Sequence, residues 1–164
     1  MIGGIWKEAG EIILPDYDNI YQVSISGDTI AVQVTDMSCL DQVHAGECHV
    51  NIYQFDRESG SIALLQDKVG AVSGCPPMVL DGNYLVHGLS IYHRQGISQQ
   101  FAVQQTFDSA DYEIGFGKTL ALDNEILVVG SDNRTYMFSL QNDAFVEVYA
   151  LDQKPDDTHE ISNG

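Results

Sequence analysis

A short motif recurs three times along the chain: an apolar strand, a tight two-residue turn and a second apolar strand. Ile25-Ser-Gly-Asp-Thr-Ile-Ala-Val32 aligns with Val79-Leu-Asp-Gly-Asn-Tyr-Leu-Val86 and with Ala121-Leu-Asp-Asn-Glu-Ile-Leu-Val128. The predicted turn pairs are Gly27-Asp28, Asp81-Gly82 and Asp123-Asn124. Gly, Asn and Asp tolerate the positive φ that two-residue hairpin turns demand. A third strand should follow each hairpin, with an aromatic at Tyr53, Tyr92 and Tyr136. A fourth is expected over 61–66, 99–105 and 145–151, after turns at 57–60, 95–96 and 141–143. Four short strands per repeat, at a spacing of roughly 40–55 residues, is the pattern of a propeller blade.

The expected fold is therefore all-β: a partial β-propeller of three four-stranded antiparallel blades plus one extra N-terminal strand. The blades fall at about 21–67, 76–107 and 116–152, inside a domain covering 1–152, with the extra strand over 5–14 and a polar tail over 153–164. No window shows helical spacing of apolar residues with caps. Ile126-Leu-Val-Val129 is apolar at every position, which suits a strand covered on both faces. Phe145-Val-Glu-Val-Tyr149 carries a charge and suits a wetter outer edge.

Charge narrows the partners. The 164 residues carry 24 Asp and Glu against 7 Lys and Arg, a net −17. Such a surface repels phosphate backbones and anionic lipid, so neither nucleic acid nor membrane insertion is expected. It suits a basic protein, a cation or plain solubility. No stretch approaches the roughly 18 apolar residues of a membrane span. Residues 1–10 contain Lys7 and Glu8 and show no signal-peptide core.

Phe116-Gly-Lys-Thr-Leu-Ala-Leu-Asp-Asn-Glu-Ile-Leu-Val-Val-Gly-Ser131 resembles an FG-GAP repeat, the blade motif of α-integrin-type propellers. Phe116-Gly117 matches the FG element, and Gly130-Ser131 stands where the family has Gly-Ala-Pro. The resemblance covers 111–152 well; the other two repeats have Tyr21-Gln22 and Pro76-Pro77 in place of FG. It implies a structural role for Phe116, Gly117 and Gly130: the ring plugs between blades and the glycines allow close backbone approach. It also implies an extracellular or cell-surface setting. Some members hold calcium in a D-x-D-x-D-G loop, an oxygen-rich site suited to a hard cation. The matching positions here are Asp16 with Asp18, and Asp108 with Asp111; both loops lack the third Asp and the Gly. No other cofactor is expected.

The segment from Cys39 to His49 is the least repeat-like part of the chain. Its Cys39, His44, Glu47, Cys48 and His49 include zinc-ligand types, but not at a standard spacing. In an oxidising compartment Cys39 and Cys48 are expected to pair across this loop, leaving Cys75 free; in a reducing one the loop stays open. Asn133-Arg-Thr135 is a glycosylation sequon on a turn between strands.

No nucleophile elbow, phosphate loop or Ser-His-Asp order is present. The equivalent strand-start positions Ile25, Val79 and Ala121 are apolar, where an axial active site would need polar groups. The expected function is a non-catalytic repeat module that binds a protein or glycan. The alternative is part of a propeller hydrolase or lyase with an axial metal. Closed propellers use about four to eight blades, so three imply either further blades or self-association.

Overall fold

The computed structural model describes residues 11, 12, 14, 18–36 and 47–152. The chain forms three four-stranded antiparallel sheets, each a simple up-and-down meander. The first comprises β1 (Asp18–Ser26), β2 (Thr29–Asp36), β3 (Glu47–Asp56) and β4 (Ser61–Ser73). The second comprises β5 (Met78–Asp81), β6 (Tyr84–His87), β7 (Ser90–His93) and β8 (Ala102–Thr106). The third comprises β9 (Thr119–Asp123), β10 (Ile126–Gly130), β11 (Arg134–Gln141) and β12 (Ala144–Asp152). The one helical element among the described residues is a 3-10 turn, Ser109–Asp111. The expected N-terminal strand lies mostly outside the described residues, and the 153–164 tail wholly so; Ile12 and Leu14 pack on the first sheet.

Strand pairing corrects the turn assignment. Ser26 pairs with Thr29, Asp81 with Tyr84, and Asp123 with Ile126. The turn pairs are thus Gly27-Asp28, Gly82-Asn83 and Asn124-Glu125, one residue later than expected in the second and third sheets. Backbone sterics explain the shift. The first turn residue takes φ of 60, 55 and 54° in turn, so Gly27, Gly82 and Asn124 are equivalent.

A bulge recurs too. Pairing of the third and fourth strands shifts between Ile52 and Tyr53, between Ile91 and Tyr92, and between Met137 and Phe138. The aromatic equivalent to Tyr53 and Tyr92 is therefore Phe138, not Tyr136. All three rings are buried.

The sheets stack face to face around two apolar cores. Ala31, Val50 and Ile52 of the first sheet meet Leu80, Leu85 and Tyr92 of the second. Val86 and Ile91 on the second sheet's other face meet Leu127, Phe138 and Phe145 of the third. The first strands lie side by side, β1 against β5 and β5 against β9.

Edge strands leave backbone groups unpaired, and here side chains of the preceding sheet take them up. The Gln22 amide donates to Met78 O at 2.7 Å and accepts from Met78 N at 2.9 Å. Gln66 holds Phe101 in the same two-point way, at 3.1 and 2.6 Å, and Gln105 holds Phe145, at 2.9 and 2.8 Å. Each clamp satisfies both backbone groups of one residue, which would otherwise cost about 1–3 kcal/mol apiece if buried unpaired.

Candidate functional site

The three hairpin turns gather at one end of the stack, tied by a single carboxylate. Asp81 Oδ1 accepts from Ser26 Oγ at 3.1 Å, and Asp81 Oδ2 accepts from the Asn124 N–H at 2.5 Å. Ser26 Oγ also accepts from Gly82 N at 2.8 Å. One residue of the second sheet thus bonds to the turns of both neighbours.

Beside this joint, between the second and third sheets, lies a cavity of about 690 Å³. Asp81, Asp123 and Glu125 line it together with Asn83, and no Lys or Arg does. Tyr84 forms its apolar side, stacked on His93 at 4.6 Å between ring centroids and edge-on to Phe145. Burial, then the negative charges of Asp143 and Glu125, push the Tyr84 phenol above its ordinary value. Each ion pair among the described residues lies elsewhere: Arg57 with Asp28, Lys118 with Asp132, and Arg134 with Glu113 and Asp152. The cavity therefore presents uncompensated negative charge around an aromatic wall.

The opposite end carries the motif residues singled out in the sequence. The Gly117 and Lys118 N–H groups both donate to Gly130 O at 3.1 Å, joining the Phe116-Gly117 segment to the end of β10. Phe116 is partly buried; it stacks on Tyr112 at 4.0 Å and meets Phe107 and Tyr136 edge-on. A Cβ on Gly130 would lie 2.2 Å from Thr119 Oγ1, so that position admits no side chain without a shift.

The cysteines pair differently from expectation. Cys48 is bonded to Cys75, with Cα atoms 4.9 Å apart. That corrects the Cys39–Cys48 pairing and the free Cys75. Cys48 sits on β3, on the side facing the second sheet, where the segment leading into β5 passes. Cys39 and His44 lie outside the described residues. The zinc arrangement is corrected as well, since the Cys48 sulfur is spent in the disulfide; His49 is buried and Glu47 exposed.

Asp16 and the Asp18 side chain are outside the described residues. Asp108 caps the 3-10 turn, accepting from Ala110 N at 2.9 Å, and Asp111 ends that turn. Among the described residues no three His, Cys, Asp or Glu side chains are grouped to hold a metal. Asn133 is exposed on the turn between β10 and β11. Among the described residues no helix is long and apolar enough to cross a membrane.

Sequence reasoning passed over His87, which is completely buried between the first two sheets. Gln33 Nε2 donates to Pro76 O at 2.7 Å and lies 3.0 Å from His87 Nε2. A carbonyl oxygen can only accept, so the facing Gln33 atom is the amide NH2, and His87 Nε2 must be an unprotonated acceptor. Burial holds the imidazole down at about 4, below its ordinary 6.5. As pH falls, the unfolded chain takes up this proton first. The stability contributed by neutral His87 is complete above about pH 6.5 and is lost as pH falls toward 4, about 3 kcal/mol in all. Thermal melts of the wild type and His87→Val between pH 7 and 4 check this; the variant should lose that part of the acid dependence. Equal slopes in the two proteins would refute it.

No protein-family model matches the chain, and no curated protein matches it.

Proposed function

We infer that the three sheets are blades of an incomplete propeller, and that the chain is a non-catalytic binding module for a basic segment of a partner protein. The observation that carries this is the turn-end cavity, lined by three carboxylates and no cation, on a chain of net charge −17. A lysine or arginine side chain entering there gains charge-assisted hydrogen bonds to Asp123 and Glu125 and an aromatic contact at Tyr84. The side-by-side first strands support the blade reading, as do the recurring turn, bulge and clamp and the Phe116-Gly117 resemblance to FG-GAP repeats. The Cys48–Cys75 bond suits an oxidising compartment, the setting that resemblance implies.

The test is a calorimetric titration with a decapeptide of alternating Lys and Gly, beside one of alternating Glu and Gly. Binding of the basic peptide should weaken with salt. It should fall roughly tenfold in the Asp123→Asn, Glu125→Gln double variant, the loss of about 1.4 kcal/mol. Equal behaviour of both peptides, or no loss in the variant, would remove the reading. Uptake of a neutral oligosaccharide instead would assign the Tyr84 wall to a glycan.

A further inference from the structure

The acidic cavity has a counterpart on the other side of the Gly82-Asn83 turn, between the first and second sheets. Equivalent hydrogen bonds align the three sheets at this point. Phe55 N donates to Asp28 O at 2.8 Å, Arg94 N to Asn83 O at 3.0 Å and Leu140 N to Glu125 O at 2.8 Å. The counterpart is a cavity of about 280 Å³. Its chemistry is reversed position by position. Where the acidic cavity has Asp81, Glu125 and Leu140, this one has Ser26, Asn83 and Arg94. Its one carboxylate, Asp28, is paired with Arg57.

Arg94 stands where the other two sheets carry Phe55 and Leu140, and it is only 3% exposed. Burying a cation costs stability unless a counter-charge meets it. None of the ion pairs among the described residues includes Arg94. Its guanidinium donates to Thr29 Oγ1 at 2.7 Å and to Gly82 O and Ile97 O at 3.3 Å. Those three residues line the cavity, so the guanidinium forms part of its wall. The Phe101 ring backs it, 4.8 Å from Cζ to the centroid. The Nε–H is left buried without an acceptor. Gln54 Oε1, on the first sheet's side of the same cavity, is buried without a donor. Burial pushes the guanidinium below its ordinary pKa, and no carboxylate offsets it.

We propose that this cavity seats an acidic side chain of the same partner segment whose basic side chain enters the acidic cavity, so that the segment straddles the Gly82-Asn83 turn with one charge of each sign. The proposal rests on the basic-segment reading above and adds the segment's second determinant. The carboxylate supplies the acceptor and the counter-charge that the guanidinium lacks. The segment's backbone N–H supplies the donor that Gln54 lacks. A bare anion offers only the first, and an uncharged amide leaves the guanidinium without a counter-charge. One two-residue turn separates the seats, a span an extended segment crosses in about two or three residues at about 3.3 Å each.

General attraction and a specific seat predict opposite orders. A chain of net charge −17 favours the most basic peptide, whereas a seat at Arg94 favours a mixed one. Calorimetric titration of the full chain compares the alternating Lys-Gly decapeptide with decapeptides of Lys, Glu and Gly in which Glu lies two or three residues from Lys. Expected is about tenfold tighter binding of one mixed peptide, despite its lower positive charge. Replacing its Glu by Gln should abolish the gain. Arg94→Leu, which installs the residue the third sheet has at this position, should abolish it too without weakening the Lys-Gly peptide. Gln54→Glu, which puts a carboxylate of the chain itself on the cavity wall, should do the same and serves if Arg94→Leu fails to fold. The Asp123→Asn, Glu125→Gln variant should weaken all the peptides and keep the ratio between them, so the two readings can fail separately. Mixed peptides that bind no tighter than Lys-Gly would overturn the proposal. So would a Gln peptide equal to its Glu parent, or a gain that survives Arg94→Leu.

Discussion

Replacing Cys48 and Cys75 together by alanine should lower stability by about 3–4 kcal/mol, the chain-entropy value for closing a loop of this size. The two cysteines are 27 residues apart in sequence. In a chain of this length the loss corresponds to a fall in Tm of roughly 10 °C. The bond ties the start of β3, an inner strand of the first sheet, to the segment entering the second, so the joint between those sheets should loosen first. The double variant is the right probe, because a single replacement leaves an unpaired thiol open to oxidation. Differential scanning calorimetry with and without reductant checks the result; identical melts in all four samples would refute it.

Gly70→Ala should cost about 2–4 kcal/mol, adding the strain of a left-handed residue to overpacking. Gly70 sits in β4 at φ +59°, and a Cβ there would lie 2.1 Å from the Tyr92 hydroxyl and 2.7 Å from Cζ. Tyr92 is itself buried against the first sheet, so its ring has nowhere to swing. Tyr92→Phe in the same chain should recover part of the clash and none of the backbone strain. Denaturant unfolding of the two single variants and the double gives the coupling. A Gly70→Ala protein with the wild-type midpoint would show that β4 can move away.

The hairpins were legible because turn chemistry and alternation act locally. Gly27 and the Asp-rich turns announce themselves, and all three fall within a residue of their expected places. The one-residue slip arose because Asp81-Gly82 and Asp123-Asn124 both read as good turn pairs. Only the requirement for positive φ at the first turn residue separates them from Gly82-Asn83 and Asn124-Glu125. The bulges leave no such mark, so Tyr136 was matched where Phe138 stands. The disulfide was missed for a similar reason. Cys39 and Cys48 are near in sequence, whereas Cys48 and Cys75 meet because β3 lies beside the path into β5. His87 had a signal: in the corrected alignment its equivalents are Val32 and Val129, so a polar residue stands where the other two sheets carry apolar ones. The acidic cavity had none, since Asp81, Asp123 and Glu125 first appear as ordinary turn residues.

The amide clamps between the sheets bear on how such a chain can change. Gln22, Gln66 and Gln105 grip the N–H and C=O of Met78, Phe101 and Phe145, groups those residues share with nearly every other amino acid. A grip on the main chain is indifferent to the side chain it passes. The gripped residue can be replaced by any other that fills the core, and the bonds remain. A duplicated sheet held this way can lose its resemblance to its neighbours without losing its place beside them.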